Sequence, residues 1–291
     1  EGMATGVVYY DSEGIEHFQP AELVILACNG VGTPRLMLNS VSGKFPGGIA
    51  NSSGLVGKNL MFHPYAQTFG YVDEEMDGNH GPPLCLWSAE FYETDPSRDF
   101  VRGYTYQFGR GVQSIVEAIS STHQGRLPFG PDHHATYRKL LNHRLYLSAI
   151  CEDLPEEHNC VTLDPVARDS NGIPAPRVEY KIGENTKKMM AHAHAHARQV
   201  LEAAGATNIG IESPILNGGW HLLGTARMGD DPERSVVNGW GRCHDVKNLF
   251  IVDGSIWVTS GGVNPTSTIQ ALALWIADNI KKRAANATLF D

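Results

Sequence analysis

Apolar and polar positions change their period along this chain, and the changes divide it into three stretches. Residues 3–10 read as a strand in mid-sheet, Asp11-Ser12-Glu13-Gly14 signals a turn, and a second strand follows near residues 15–18. Residues 23–28 form a continuous apolar run bounded by turn residues, the pattern of a strand buried on both faces. Asn29-Gly30-Val31-Gly32 then predicts a tight turn. A short helix follows, with Thr33 as N-cap and Pro34 as its first residue. A buried strand, a glycine turn and a helix start together suit a doubly wound sheet of the α/β class.

The middle of the chain alternates differently. Strands rich in aromatics are predicted at 65–72, 101–108 and 145–151, with a short one at 160–163. Residues 74–83 and 121–134, rich in Gly, Pro, Asp, Asn and His, read as surface loops, and 164–176 as turn-rich. Residues 184–204 carry a helical pattern that places Met189, Ala193, Val200, Leu201 and Ala204 inward, and Gly205 closes it. The expectation is an antiparallel sheet backed by helices, inserted into the first unit, so that the whole is α+β. The last stretch returns to the first character. Residues 249–252 form a short apolar strand ending in Asp253-Gly254. A final helix begins at Pro265 behind Asn264 as N-cap, with Ile269, Leu272, Ala273, Ile276 and Ile280 along one face.

Composition narrows the function classes. The chain has 291 residues, 42 % hydrophobic and 19 % charged, with a formal net charge of −9. That is a globular composition without the basic footprint of a nucleic-acid binder, and no apolar run reaches bilayer length. The five cysteines are scattered and form no C-x-x-C pair, which speaks against a disulfide framework or zinc site. Cys28 and Cys151 read as buried small residues. Scattered cysteines fit a reducing, cytoplasmic compartment. The chain opens on what reads as mid-sheet strand, so further residues are expected upstream.

Chemistry concentrates near the C-terminus. His221 lies in a glycine-rich segment beside Trp220, and a neutral imidazole there can take a proton near neutral pH. Asn264-Pro265 marks a well-defined helix start, whose free N–H groups and partial positive charge favour something electron-rich. Asn264 can equally be a simple cap. The Asp253 carboxylate can bond backbone N–H groups or a sugar hydroxyl, and Gly254 permits close backbone approach; a plain strand-ending turn reads the same way. Of His192, His194 and His196, only the first and last share a helix face, and without a third ligand they read as a surface face. Glu152, Asp153, Glu156 and Glu157 read as a solvated acidic rim.

These segments resemble a known family. Gly219-Trp220-His221-Leu222-Leu223-Gly224-Thr225-Ala226-Arg227-Met228-Gly229, residues 248–255 and Asn264-Pro265-Thr266 look like the C-terminal signatures of the glucose–methanol–choline (GMC) oxidoreductases, FAD-dependent enzymes acting on alcohols and sugars. Residues 23–36 look like that family's second signature, with Cys28-Asn29 where Ala-Gly is usual. Val56-Gly57-Lys58-Asn59-Leu60-Met61-Phe62-His63-Pro64 is similar to its loop into the substrate domain. The resemblance implies a Rossmann-like FAD-binding portion, with residues 1–58 in the FAD-binding domain, 59–214 in the substrate-binding domain and 215–291 forming the catalytic edge and the return to the first domain. It implies His221 as base and Asn264 as its partner, donating to the substrate oxygen. It places Asp253, Gly254, Asn264, Pro265 and Thr266 along the flavin and its ribityl-phosphate chain, Ala27, Cys28 and Gly30 near the nucleotide half, and Trp220 as a wall of the site. No metal is implied.

One departure stands out. The G-x-G-x-x-G that receives the pyrophosphate is missing, and neither Gly210 nor Gly218-Gly219 stands in strand–turn–helix context. The chain therefore resembles the C-terminal half of a family member, with the other half expected on an upstream segment or a second chain. Two functions follow: part of an FAD-dependent alcohol or sugar dehydrogenase or oxidase, or a non-catalytic binding or assembly subunit that keeps the scaffold without flavin.

Overall fold

A computed structural model describes residues 2–78, 80–215 and 219–290; Gly218, weighed above, lies outside them. Two units are built around separate cores. In the first, β3 (Val24–Leu26) and β11 (Leu249–Ile251) pair in parallel, and α1 (Asn29–Asn39) follows β3. α5 (Thr266–Ala285) lays Ile276 and its half-buried neighbours Leu272 and Ile280 on the same core as Val24, Leu26, Val237 and Phe250. This is the expected α/β character, a strand–helix piece of a parallel sheet.

In the second unit, β4 (Tyr65–Tyr71), β5 (Leu84–Ser88), β6 (Tyr104–Arg110), β7 (Arg144–Cys151) and β10 (Thr207–Glu212) form an antiparallel sheet of order β10-β4-β7-β6-β5. α4 (Glu184–Ala203) covers one face, burying Met189, Met190, Ala193, Ala197 and Leu201 against Ala66, Leu147 and Ala149. The hairpin β8 (Cys160–Arg168) and β9 (Pro174–Glu179) reaches back to α1, where Arg35 bonds the Pro174 carbonyl at 2.8 Å and pairs with Asp169 at 2.7 Å.

Several expectations are corrected. Residues 3–10 are not mid-sheet: among the described residues β1 (Gly6–Tyr10) pairs with β2 (Glu16–Pro20) alone, in a largely exposed ribbon. β3 is buried on one face, with Ile25 49 % exposed. The loop read at 121–134 contains the end of α2 (Ser114–His123) and the start of α3 (His133–Leu140), and β8 runs through what read as turns. Glu152 and Asp153 are buried rather than a rim. His192 packs between Phe91 and Tyr104, His196 packs on Phe91, and His194 Nδ1 lies within hydrogen-bond distance of the Thr68 hydroxyl on the sheet, so none of the three sits on a purely solvated face. Among the described residues no three metal-ligating side chains gather, and no helix is long and apolar enough to cross a membrane.

Candidate active site

The site begins with α1, which starts earlier than its sequence indicates. Asn29 opens the helix, Cys28 takes the cap position, and the Asn29 side chain accepts from the N–H groups of Val31 and Gly32. Gly30 is therefore helical rather than part of a turn, and Thr33 is interior rather than a cap. Pro34 sits inside the helix without an N–H to offer the Gly30 carbonyl. The Thr225 hydroxyl fills that place at 2.7 Å. A Cβ on Gly30 would lie 2.6 Å from the Leu222 carbonyl carbon and oxygen, so α1 packs directly on the backbone next to His221.

Asp253 fastens the same junction. One carboxylate oxygen accepts from the Asn29 N–H at 3.1 Å and the Thr33 hydroxyl at 2.5 Å, the other from the Ser255 N–H at 2.8 Å. The carboxylate is thus tied to the protein's own donors on both oxygens. Gly254 likewise approaches the chain itself, since its Cβ would lie 2.8 Å from the Leu222 oxygen. Ala27 and Cys28 stand exposed at the end of β3, correcting the expectation that Cys28 is buried.

His221 adopts φ of 62°, a left-handed conformation uncommon outside glycine. Met61 and Leu223 form an antiparallel bridge, with N–H to carbonyl bonds of 3.0 and 3.1 Å in both directions. Two residues onward on one strand and two back on the other bring His63 opposite His221. Their Nδ1 atoms lie 2.6 Å apart. His63 Nε2 reaches the carbonyls of Gly261 at 2.6 Å and Ser260 at 3.1 Å. Burial, then the nearness of His221, pushes His63 down to about 4, and burial also lowers His221.

Asn264 is held from the sheet. Gln107 Nε2 donates to Asn264 Oδ1 at 2.9 Å, and the Tyr65 hydroxyl donates to Gln107 Oε1 at 2.7 Å. Tyr65 also stands edge-on to Trp220, ring centroids 5.3 Å apart. A closed circuit of contacts results: Trp220–His221, His63, Gly261 to Asn264, Gln107, Tyr65 and back to Trp220. Asn264 does not cap the last helix as expected. Pro265 takes that position, and no side chain caps α5 among the described residues. Thr266 stands exposed at its first turn. A groove of about 630 Å³ runs along this end, lined by Trp257, Ser260, Asn264, Pro265, Leu272 and Trp275 among others. Sequence reasoning missed His63, Tyr65 and Gln107. His63 stood in the quoted loop motif, but its partner depends on a long-range register; Tyr65 and Gln107 carried no local signal.

Comparisons with known proteins agree with this architecture. Residues 155–273 match the family described as GMC oxidoreductase. The chain is 42 % identical over 290 residues to 2-methyl-1,2-propanediol dehydrogenase of Mycolicibacterium austroafricanum, covering 97 % of this chain and 52 % of that one. It is 31 % identical to the fructose dehydrogenase large subunit of Gluconobacter japonicus, covering 95 % and 50 %. It superimposes on formate oxidase of Aspergillus oryzae with a TM-score of 0.67 at 17 % identity, covering 99 % of this chain and 59 % of that one, a likeness of fold. The chain spans about half the length of the curated relatives it matches.

Proposed function

From the premise that this chain corresponds to the C-terminal half of the GMC oxidoreductases, we propose that its protein oxidises an alcohol or sugar CH–OH group to a carbonyl with FAD as cofactor. The observation that carries the reading is the closed circuit joining His221 to Asn264. It ties the His221 imidazole, through His63, to the backbone segment that carries Asn264, and Asn264 lines a groove. The residues present fit the isoalloxazine end of FAD. The first turn of α5 offers backbone N–H groups that no side chain caps, and Trp257, whose buried Nε1 has no protein partner, is one of the residues lining the groove. The pyrophosphate cradle is not among these residues, and we assign it to the segment or second chain that carries the G-x-G-x-x-G.

When bound, FAD supplies the acceptor for the hydride leaving the carbinol carbon. His221 takes the hydroxyl proton as base. Asn264, its Oδ1 occupied by Gln107, turns Nδ2 to donate to the substrate oxygen and steadies the developing alkoxide. Pro265 and Thr266 border the flavin, Trp220 walls the site, and Ala27, Cys28 and Gly30 stand toward the nucleotide half. Asp253 and Gly254 act there through the scaffold. The domain limits of 1–58, 59–214 and 215–291 are supported by the two separate cores. In the full-length protein, His221→Ala should keep FAD and slow flavin reduction roughly 10²–10⁴-fold in anaerobic stopped flow. Full reductive rate in that variant removes His221 as base. Absence of flavin with the upstream half present favours the binding-subunit reading.

A further inference from the structure

The protons on the two histidines can be traced from their partners. His63 is 1 % exposed, and its Nε2 faces only the carbonyl oxygens of Ser260 and Gly261. Carbonyl oxygens accept and never donate, so Nε2 carries a hydrogen. The ring's low proton affinity in this buried place leaves it neutral near pH 7. Nδ1 of His63 is then a bare lone pair. His221 Nδ1, 2.6 Å away, must donate into it. The opposite assignment would set the lone pair of His63 Nε2 against two carbonyl oxygens.

We propose that His63 is a positioning residue that locks His221 as its Nδ1–H tautomer, with the basic lone pair at Nε2, and ties that ring to the loop bearing Asn264. The inference rests on the reading of His221 as base and says which of its atoms acts. His63 touches no substrate. Its Nε2–H holds the Ser260–Gly261 backbone, which the Ser260 hydroxyl also fixes by accepting from the Asp153 N–H at 2.8 Å and donating to the Asp153 carbonyl at 3.0 Å. The Thr105 hydroxyl holds the next carbonyl, that of Gly262, at 2.5 Å. The base and the Asn264 loop therefore share one anchor. Once Nε2 of His221 has taken a proton, its Nδ1–H keeps donating to His63, now as a charge-assisted bond that steadies the imidazolium. The tautomer a histidine adopts is set by the partner of its other nitrogen, and removing His63's acceptor releases that choice.

The test uses full-length, cofactor-loaded protein labelled with ¹⁵N-histidine at pH 7, without substrate. Long-range ¹H–¹⁵N spectra distinguish the two neutral tautomers, and the His221 signals are identified by their loss in His221→Asn. Wild type should show a protonated Nδ1 and a bare Nε2. His63→Leu should shift His221 toward the Nε2–H form and lower kcat roughly 10–100-fold with a smaller change in KM. His63→Asn, which keeps an acceptor oxygen near the old Nδ1, should restore the Nδ1–H form and most of the rate. Should His63→Leu fail to fold, wild type and His63→Asn decide. An Nε2–H signature for His221 in wild type, or an Nδ1–H signature surviving in His63→Leu, overturns the lock. If the Nδ1–H signature stands but His221→Ala still reduces its flavin at full rate, the functional reading falls and the lock remains.

Discussion

His63 is buried without any charged partner, so the folded chain resists protonating it. Its pKa is pushed down to about 4 from the ordinary 6.5. An unfolded chain takes up that proton as the pH falls through 6.5, while the folded chain does not until about 4. The residue's contribution to stability is therefore intact at pH 7 and is lost across that window, by about 3 kcal/mol. Asp153 has the opposite sign. Burial raises its carboxyl to about 6 despite the hydroxyls of Tyr180 and Thr186, so its contribution is present at low pH and lost as the pH rises through about 6. Comparing wild type with His63→Asn cancels Asp153, which both carry. In urea titrations at pH 7 and pH 4, the variant should gain about 3 kcal/mol on wild type in going to the lower pH. A difference that does not move with pH would mean that His63 is not held neutral. His221 and Asn264 were visible in the sequence as candidates because each lies in its own short motif. The role of His63 was not, because its partner is 158 residues away and is chosen by the register of the Met61–Leu223 bridge.

Helix α1 shows how an element can be recognised and still be misplaced. Its strand–helix context was legible, but its start was not. Pro34 carries the usual mark of a first helical residue, yet the helix begins at Asn29, because Asn29 supplies its own side-chain acceptor and Thr225 supplies the hydrogen bond that proline lacks. Neither compensation is local to the proline. α3 was hidden because it is short, polar and preceded by Gly130-Pro131, so composition outweighed periodicity; α2 buries Glu117 and Ser121 and leaves Ile115, Val116 and Ile119 exposed, the reverse of the usual helical pattern. The tight seat of α1 makes its two glycines differ. In an open helix, Gly→Ala stabilises by up to about 1 kcal/mol. At Gly32 the added methyl meets only the Cys28 side chain at 3.1 Å, and Gly32→Ala should be near neutral. At Gly30 it meets backbone of Leu222 at 2.6 Å, so Gly30→Ala should cost about 1–3 kcal/mol and displace the segment that orients His221. Thermal unfolding of the two variants side by side checks this. Equal midpoints would show that α1 does not bear on the catalytic segment.

At the scale of the molecule, the antiparallel sheet buries a core against α4, whereas the parallel sheet among the described residues has two strands, β3 and β11, with Ile25 49 % exposed. Beside the groove, Trp275 is 49 % exposed and Val258 39 %, and Leu274 on the same helix is 72 % exposed. A two-stranded parallel pair open on one face is an unusual end state, since parallel sheets are normally covered on both faces. The missing glycine fingerprint already pointed this way in the sequence; the exposed face of β3 was not foreseen, because an apolar run reads as buried whether or not its cover belongs to the same segment. On the proposed reading, the cover of this face comes with the segment that brings the pyrophosphate cradle. The 291-residue chain expressed alone should therefore bind the dye ANS strongly and retain no FAD. Joined to a half that carries G-x-G-x-x-G, or mixed with it, it should lose most of the dye signal and hold flavin, and Trp275 fluorescence should shift to the blue as the groove fills. Leu274→Glu lies on the helix that borders the groove but outside the His221–Asn264 circuit. It should weaken assembly of separately expressed halves while leaving the unfolding midpoint of the isolated chain nearly unchanged. FAD retained by the isolated chain, or dye binding unaffected by the second half, would show that these apolar faces have another partner.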